Sequence, residues 1–315
     1  MRIFLTGATG YVGSAALDAL LRAGHEVTAL VRTAAKGREI ARRGGRPVVG
    51  NLTDPDSYRD LAEAHDAYVH AALDRSPDPA PVERQTIETL AALATKPRTG
   101  GHGRVIVYTS GIWVLGRTPE PADETAALNP TPLVAWRPEA EALVMGLAHP
   151  DLRTVVIRPG IVYGGRRGIV ADLLKDAGNG LIRVIGDGEN HWPLVYDRDL
   201  GDLYARLVGH AEASGIFHAT DEGDERVNDI VDGIAAHVSV RPDVRHMPIE
   251  EARTKLGPYA DALALDQLVR SPRARALGWT PTLRSVRGNI PRLLEEFRPG
   301  RDDVEETGEP ERARR

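Results

Sequence analysis

The 315-residue chain contains no cysteine. This absence excludes disulfides, thiolate metal sites and cysteine nucleophiles, and it fits a reducing compartment. No run of 18 apolar residues occurs, and the amino-terminal residues lack the basic region, apolar core and cleavage site of a secretory signal. We therefore expect a cytoplasmic protein that does not enter the membrane.

Charge of one sign is not concentrated anywhere along the chain. The 40 basic and 45 acidic side chains give a formal net charge of -5, without a basic block of the kind that binds nucleic acid or an anionic membrane. The ten histidines show no HExxH or similar metal-binding spacing. These absences favour a small polar molecule as the partner over nucleic acid, a membrane or a metal ion.

What the sequence does contain is a regular alternation of short β-branched runs with helical segments from residue 2 to about 165. The runs include IFL, EVTALV, RPVVG, DAYVHAA, RVIVYTS and TVVIRPG. Strands that alternate with helices of this length imply right-handed crossovers and a parallel sheet covered on both faces. The pattern therefore predicts an α/β protein with a doubly wound parallel sheet.

A glycine-rich segment, TGATGYVG, lies between the first strand and the first helix. Gly7 permits a tight turn, Gly10 lets the backbone approach a pyrophosphate, and Gly13 allows close packing of the helix. The amino terminus of the helix adds amide donors and the positive end of its dipole. In this strand-turn-helix context the glycines predict a Rossmann-type dinucleotide site.

The end of the second strand indicates which dinucleotide is bound. NAD-specific sites place a carboxylate there for the ribose hydroxyls, whereas this chain has Arg32, followed by Lys36 and Arg38. A guanidinium at this position can pair with a 2′-phosphate, so we expect NADP, with NAD as the alternative. Asn51 and Leu52, after the third strand, are expected to line the adenine pocket.

We divide the chain by these patterns. Residues 1–165 are expected to form the NADP-binding Rossmann domain, with 192–220 folding back onto it. Residues 166–191 and 221–299 are expected to form a smaller α/β substrate lobe. Residues 300–315 contain almost no apolar side chains and are expected to form a disordered tail.

Several motifs together resemble the extended short-chain dehydrogenase/reductase superfamily, in its NAD(P)-dependent sugar epimerase/dehydratase branch. The resemblance covers residues 2 to about 295. Besides TGATGYVG, it rests on YVHAA at 68–72, YTSGIWVLG at 108–116, RPGIVYG at 158–164, WPLVYDRDL at 192–200 and RARALGWTP at 273–281.

The resemblance fails at the catalytic motif. Members typically carry PYxxSKxxxE, in which the tyrosine is the general acid/base and the lysine lowers its pKa and holds the nicotinamide ribose. Residues 132–141 read PLVAWRPEAE, which puts Leu133 at the tyrosine position and Arg137 at the lysine position. Leucine has no proton to exchange, and arginine cannot act as a base at neutral pH. Arg137 can still hydrogen-bond the ribose, so the resemblance implies retained cofactor binding without the usual proton chemistry.

Pro138, next to this motif, constrains the local helix. A proline inside a helix removes an amide donor and clashes with the preceding turn, but it is tolerated in the first turn. We expect either a helix that begins close to Pro138 and re-aims Trp136 and Arg137, or a kinked helix with Trp136 packed in the core.

Several residues could replace the missing tyrosine or line the substrate pocket. Tyr163 follows the sixth strand and is the best placed by resemblance, although it could equally be a structural tyrosine. In the family a serine usually assists the tyrosine, and the resemblance puts that position at Gly111, beside Ser110. Ser110 is therefore the second candidate, and Arg137 completes the predicted catalytic set. The predicted pocket residues are Trp113, Trp136, His191 and Trp192.

The predicted cofactor contacts span the Rossmann domain, and we predict no metal ligands. The contacts are Gly7, Thr9, Gly10, Tyr11, Val12, Arg32, Asn51, Leu52, Ala71, Ala72, Arg137 and Pro159. Asp199 is expected to order the helix it starts.

Two classes of function remain open from the sequence. The first is an NADP-dependent oxidoreductase, or an epimerase or isomerase, of a small polar metabolite that uses an unusual proton donor. The second is an NADP(H)-binding sensor or pseudoenzyme without turnover, and a cofactor-independent lyase or cyclase is a further option. The resemblance also implies a homodimer that pairs helices including the segment around Arg137.

Overall fold

A computed structural model describes residues 1–96 and 103–298. The tail predicted for residues 300–315 lies outside the described residues. The strands are β1 Arg2–Thr6, β2 Glu26–Val31, β3 Arg46–Val49, β4 Ala67–His70, β5 Arg104–Thr109, β6 Thr118–Ala122, β7 Leu152–Pro159, β8 Ile161–Tyr163, β9 Leu181–Ile185, β10 His191–Trp192, β11 Leu194–Tyr196, β12 Gly215–Ala219, β13 Glu225–Arg226, β14 Asp243–Met247 and β15 Gln267–Val269.

Twelve α-helices and four short 3₁₀ segments connect these strands within the described residues. The α-helices are α1 Tyr11–Arg22, α2 Ala34–Arg42, α3 Arg59–Ala62, α4 Ala80–Ala94, α5 Arg137–Gly146, α6 Ile169–Gly178, α7 Asp197–Gly209, α8 Val227–His237, α9 Ile249–Leu256, α10 Tyr259–Leu263, α11 Pro272–Ala276 and α12 Ile290–Phe297. The 3₁₀ segments are Pro55–Ser57, Ile112–Leu115, Pro132–Val134 and Arg287–Asn289.

The predicted doubly wound parallel sheet is confirmed. Seven parallel strands lie in the order β3-β2-β1-β4-β5-β7-β12. The order reverses between β1 and β4, and ligands of such sheets bind beside the carboxyl ends of the strands at this switch point.

Helices cover both faces of the sheet because the strands are apolar on both sides. On one face Leu17 and Leu20 of α1 pack with Leu203 and Leu207 of α7. On the other face α3, α4 and α5 pack against β4 and β5, and Leu90 and other residues form that core. Strand β12 and helix α7, which come from late in the chain, therefore complete the sheet domain.

A second core lies in the lobe beyond β7. It joins α6, β9, α8, α12 and the short pair β8-β11. The final helix of the described residues is α12, Ile290–Phe297. It begins at Ile290 after a 3₁₀ segment, with Pro291 in its first turn, because a proline is tolerated there and not in a helix interior.

Candidate functional site

A cavity of about 760 Å³ opens at the carboxyl edge of the sheet, where the strand order reverses. Its walls come from the glycine-rich turn, the ends of β4, β5 and β7, the start of α5, and the lobe. Of the predicted site residues, the cavity brings together Tyr11, Val12, Ala71, Ala72, Ser110, Trp113, Trp136, Arg137 and Pro159.

Two of the three glycines of the turn are required by close backbone contacts. Gly7 has φ +79°, and a Cβ there would lie 2.5 Å from the backbone of Ala71 and Ala72. A Cβ on Gly13 would lie 2.1 Å from the carbonyl oxygen of Gly7. The amide of Gly10 donates to that same oxygen at 2.8 Å. The first turn of α1 is thereby held against the end of β1.

The residues predicted for the adenosine end lie at the outer edge of the sheet, outside the cavity. Arg32 is exposed directly after β2, and no hydrogen bond or ion pair joins it to another described residue. Asn51 is exposed in the turn after β3, whereas Leu52 is half-buried against the core. The guanidinium of Arg32 is therefore available to an anion.

A cation that the sequence analysis did not single out lies beside the glycine-rich turn. Arg167, in the segment between β8 and α6, donates from Nη1 to the carbonyl oxygen of Thr9 at 3.0 Å. The hydroxyl of Tyr11 donates to the carbonyl oxygen of Gly164 at 2.6 Å. These two contacts fasten the lobe to the turn.

Helix α5 begins at Arg137, with Pro138 in its first turn, so the expectation of a helix starting close to Pro138 is confirmed. Residues 132–134 form a separate 3₁₀ turn before it. The guanidinium of Arg137 lies 4.6 Å from the ring centroid of Trp136 and donates to the carbonyl oxygen of Thr109 at 2.9 Å. Leu133 and Trp136 stand beside it in the cavity wall.

The positive charge of Arg137 has a buried counterpart in Glu83. Burial raises the pKa of Glu83, but its interactions with His70 and Arg137 outweigh burial, and the net effect is a lowered pKa. His70 Nε2 lies 3.4 Å from the carboxylate, and both side chains are fully buried. A buried carboxylate outside the cavity wall therefore stabilises the charge of Arg137.

Ser110 lines the cavity, but its hydroxyl is committed to a buried ion pair. It donates to Oε1 of Glu141. The same carboxylate accepts from Arg158, with Nε to Oε1 at 3.0 Å and Nη2 to Oε2 at 2.6 Å. Arg158 and Glu141 are 2% and 3% exposed. Ser110 is thus held as a donor toward the protein interior.

Tyr163 lies outside the cavity. In β8 Ile161 and Val162 line the cavity, whereas Tyr163 faces the lobe core, where its ring centroid lies 5.7 Å from that of Tyr196. The residue is fully buried, and burial together with the charge of Asp221 raises the pKa of its phenol far above the ordinary value. The structure does not bring Tyr163 to the other site residues.

His191 and Trp192 also lie away from the cavity. The imidazole of His191 pairs with Asp266 through Nδ1 at 2.9 Å. Trp192 is buried in the lobe core and donates from Nε1 to the carbonyl oxygen of Leu263 at 2.9 Å. Both residues brace the segment that follows α10.

Asp199, in the first turn of α7, contacts a distant segment more than its own helix. Its carboxylate accepts from the amide and hydroxyl of Thr282, each at 2.8 Å, and from the amide of Leu283. It is 2% exposed. Its position near the helix amino terminus matches the expectation, and its hydrogen bonds fasten the chain end to the sheet domain.

The sequence analysis missed Tyr259, which reaches the cavity from the lobe. Gly257 ends α9 with φ +59°, and Pro258 begins the turn that carries Tyr259 to the cavity wall. The ring meets Trp113 edge-on, with centroids 6.1 Å apart. Burial and the charge of Asp172 raise the pKa of its phenol. The Gly-Pro break before it was the one local signal in the sequence.

The lobe side of the cavity is mostly apolar. Arg137 is the one cation among the described lining residues, and Asp74 and Asp78 give the mouth negative charge. The apolar wall consists of Leu73, Ile112, Trp113, Leu133, Val134, Trp136, Ile161, Val162 and Ile169.

The described residues contain neither a cluster of metal-binding side chains nor a membrane-spanning helix. Within residues 1–96 and 103–298 no group of three or more His, Asp or Glu side chains is arranged to hold a metal ion. In the same part of the chain, no helix combines the length and the apolar character needed to cross a membrane.

Comparison with known proteins gives a family match over most of the chain. Residues 3–219 match the model of the NAD dependent epimerase/dehydratase family. A 3-diazoavenalumate denitrifying reductase from a Streptomyces species is 28% identical over 316 residues, covering 93% of this chain and 100% of that relative.

Solved structures share the fold at low sequence identity. A human epimerase family protein, SDR39U1, crystallised with NADPH, has a TM-score of 0.76 at 20% identity and covers 94% of this chain and 99% of its own. A UDP-glucose 4-epimerase from Thermus thermophilus in complex with NAD has a TM-score of 0.77 at 21% identity, with the same coverage of both chains.

Proposed function

The chain belongs to the NAD dependent epimerase/dehydratase family, and we propose that it is an NADP-dependent oxidoreductase that reduces a largely apolar carbonyl compound. One observation carries this proposal. The glycine-rich turn and Arg137 share a single cavity whose remaining wall is apolar and aromatic. The proposal therefore places the cofactor and the substrate in one cavity.

We infer that side chains and backbone amides of this chain hold each part of the cofactor. Arg32 would pair with the 2′-phosphate, while the amides at the start of α1 and the nearby Arg167 would hold the pyrophosphate. Arg137 would donate to the nicotinamide ribose from its place on Trp136. When bound, the reduced dinucleotide supplies a hydride.

The apolar wall leads us to propose an apolar substrate in place of the small polar metabolite that the sequence indicated. A sugar nucleotide carries a second pyrophosphate, which in general needs cationic or amide donors. On the lobe side the described lining residues offer no cation beyond Arg137, and the carboxylates of Asp74 and Asp78 at the mouth repel phosphate. An aromatic ketone, aldehyde or related electrophile suits Trp113 and Trp136.

The alternative is a nucleotide sensor without turnover. Leu133 supports it, because the residue stands in the cavity wall where the resemblance expects a proton donor. The apolar and aromatic wall of the cavity favours the enzyme, since a nucleotide with a structural role alone needs no such wall.

Binding and turnover measurements test the proposal. We expect NADPH to bind more tightly than NADH, and Arg32→Ala to weaken NADPH binding by about 10- to 100-fold while leaving NADH unchanged, as for the loss of a charged hydrogen bond. Arg46→Ala, which removes the same charge from the amino end of the neighbouring strand β3, is the control. Equal effects of the two variants would argue against a 2′-phosphate site.

Turnover is measured as NADPH oxidation with 4-nitrobenzaldehyde and 1-phenyl-1,2-propanedione. We expect consumption of NADPH that depends on the carbonyl compound. NADPH binding without any carbonyl-dependent oxidation would favour the sensor.

A further inference from the structure

We propose that Tyr259 is the proton donor of the reduction and that the lobe supplies it in place of the tyrosine missing at Leu133. This inference rests on the proposed function. It makes Tyr259 a catalytic residue that reaches the cavity from a helix 122 residues beyond Arg137 in the chain.

The other hydroxyl groups on the described cavity walls are already engaged. Tyr11 donates its hydroxyl hydrogen to a backbone carbonyl, and the hydroxyl of Thr109 is bonded to Tyr204 at 2.6 Å. Ser110 donates to Glu141, and the hydroxyl of Ser76 is bonded to Asp74 and to the carbonyl oxygen of Asp78 in the loop at the mouth. A guanidinium such as that of Arg137 cannot serve as an acid at neutral pH.

Tyr259 differs from these groups because its phenol is free. No hydrogen bond joins its hydroxyl to any other residue in the described part of the chain, and the residue lines the cavity while only half-buried. A phenol that is exposed to a cavity and has no protein partner can donate to a bound carbonyl oxygen.

The surrounding contacts fix the position of the phenol. The edge-on ring of Trp113 supports it from the sheet domain. At the other end of α10, the carbonyl oxygen of Leu263 accepts from Trp192 Nε1 at 2.9 Å and from Asn190 Nδ2 at 3.1 Å. Trp192 and Asn190 are therefore positioning residues for the helix that carries Tyr259.

The chemistry balances with one external proton. A hydride from the reduced dinucleotide forms the new C–H bond at the carbonyl carbon, and the C=O π pair moves to oxygen. Oxygen takes the phenolic proton of Tyr259, which leaves an alcohol and a phenolate. Water at the cavity mouth then returns a proton to the phenolate, so that one carbonyl, one hydride and one solvent proton give one alcohol.

The electrostatic setting keeps the proton on the donor before the reaction. Burial and the negative charge of Asp172 on α6 raise the pKa of Tyr259, so the phenol keeps its proton across the neutral range. Tyr259 is therefore in the protonated form that a proton donor needs.

Tyr259→Phe tests the assignment, with Tyr163→Phe as the matched control. The control loses the same hydroxyl from a buried tyrosine outside the cavity. With 4-nitrobenzaldehyde we expect Tyr259→Phe to lower kcat by about 10²- to 10⁴-fold, the usual contribution of a general acid. NADPH affinity and KM should stay near the wild-type values, and the control should keep its kcat.

Hydroxyl-radical footprinting supplies a second readout that needs neither turnover nor ionisation of the phenol. Peptide mass spectrometry should find the half-buried Tyr259 oxidised in the free protein, with the oxidation slowed by NADPH, while the fully buried Tyr163 stays unmodified. A Tyr259 that escapes oxidation, or that is oxidised equally fast with NADPH present, overturns the assignment.

The outcomes separate the two proposals. An active wild type with an equally active Tyr259→Phe overturns the proton donor and leaves the proposed function standing. A wild type that oxidises no NADPH with any carbonyl compound refutes the proposed function and the proton donor together.

Discussion

The ion pair between Glu141 and Arg158 lies directly beneath the cavity and is expected to be a large contributor to stability. Its bidentate contact is made at 2.6 to 3.2 Å, and both side chains are almost completely buried. Glu141 also accepts from Ser110, and Nη1 of Arg158 lies 3.5 Å from Nε2 of His218. Removing one partner leaves the other charge buried without compensation.

The magnitude follows from this geometry. Breaking a buried pair by removing one member costs about 3 to 5 kcal/mol, because the remaining ion cannot regain its hydration. We expect this loss for Glu141→Leu and for Arg158→Met singly. The double variant removes both charges and fills the space with apolar atoms, so it should lose less unfolding free energy than either single variant.

Urea denaturation followed by tryptophan fluorescence measures the three variants against wild type. The slopes of the transitions should agree, so that the midpoints report stability. A control at the surface is Arg22→Ala, which removes an exposed partner of Asp202 and should cost at most about 1 kcal/mol. A double variant whose loss equals the sum of the single losses would refute the reasoning.

Two further predictions concern the buried interior. Burial raises the pKa of Asp221 to about 7 in the folded protein, whereas in the unfolded chain the carboxyl group titrates near its ordinary pKa of about 3.9. The folded protein therefore binds the proton more tightly. This tighter binding stabilises the fold fully below pH 4, and the stabilisation is lost as the pH rises through 7. The Asn side chain does not titrate, so the free energy of unfolding of Asp221→Asn should rise relative to that of wild type by up to about 4 kcal/mol between pH 4 and pH 8, as measured by urea denaturation. Unfolding free energies of the two proteins that change in parallel with pH would contradict this. Gly13→Ala places a methyl group 2.1 Å from the carbonyl oxygen of Gly7, so it should lower the free energy of unfolding by about 3 kcal/mol and weaken NADPH binding. Denaturation and nucleotide fluorescence measure the two effects. A variant as stable as wild type would show that the turn can shift to accept the methyl group.

Local patterns predicted the sheet domain because its signals are local. The spacing of Gly7, Gly10 and Gly13 indicates a backbone conformation that side chains would block, and the contacts at Gly7 and Gly13 have that form. Pro138 indicated where α5 begins, since a proline fits the first helical turn and not the interior.

The residues of the site were harder to predict, because whether a residue lines the cavity depends on the direction in which its side chain points. At the end of β8, Val162 lines the cavity, whereas the next residue, Tyr163, packs on Tyr196 in the lobe core. His191 was expected at the substrate and instead pairs with Asp266, 75 residues later in the chain. No spacing in the sequence reports such a pairing.

The sequence by itself determined the parallel sheet and the glycine-rich turn, because each follows from residues that are neighbours in the chain. The tertiary structure alone decided that Tyr259 faces the cavity and that Tyr163 does not. Tyr259 is brought there by the packing of the lobe against the sheet domain, and Tyr163 is turned away by the strand that carries it. Proximity across such distances is set by the burial of two cores, which no short stretch of sequence encodes.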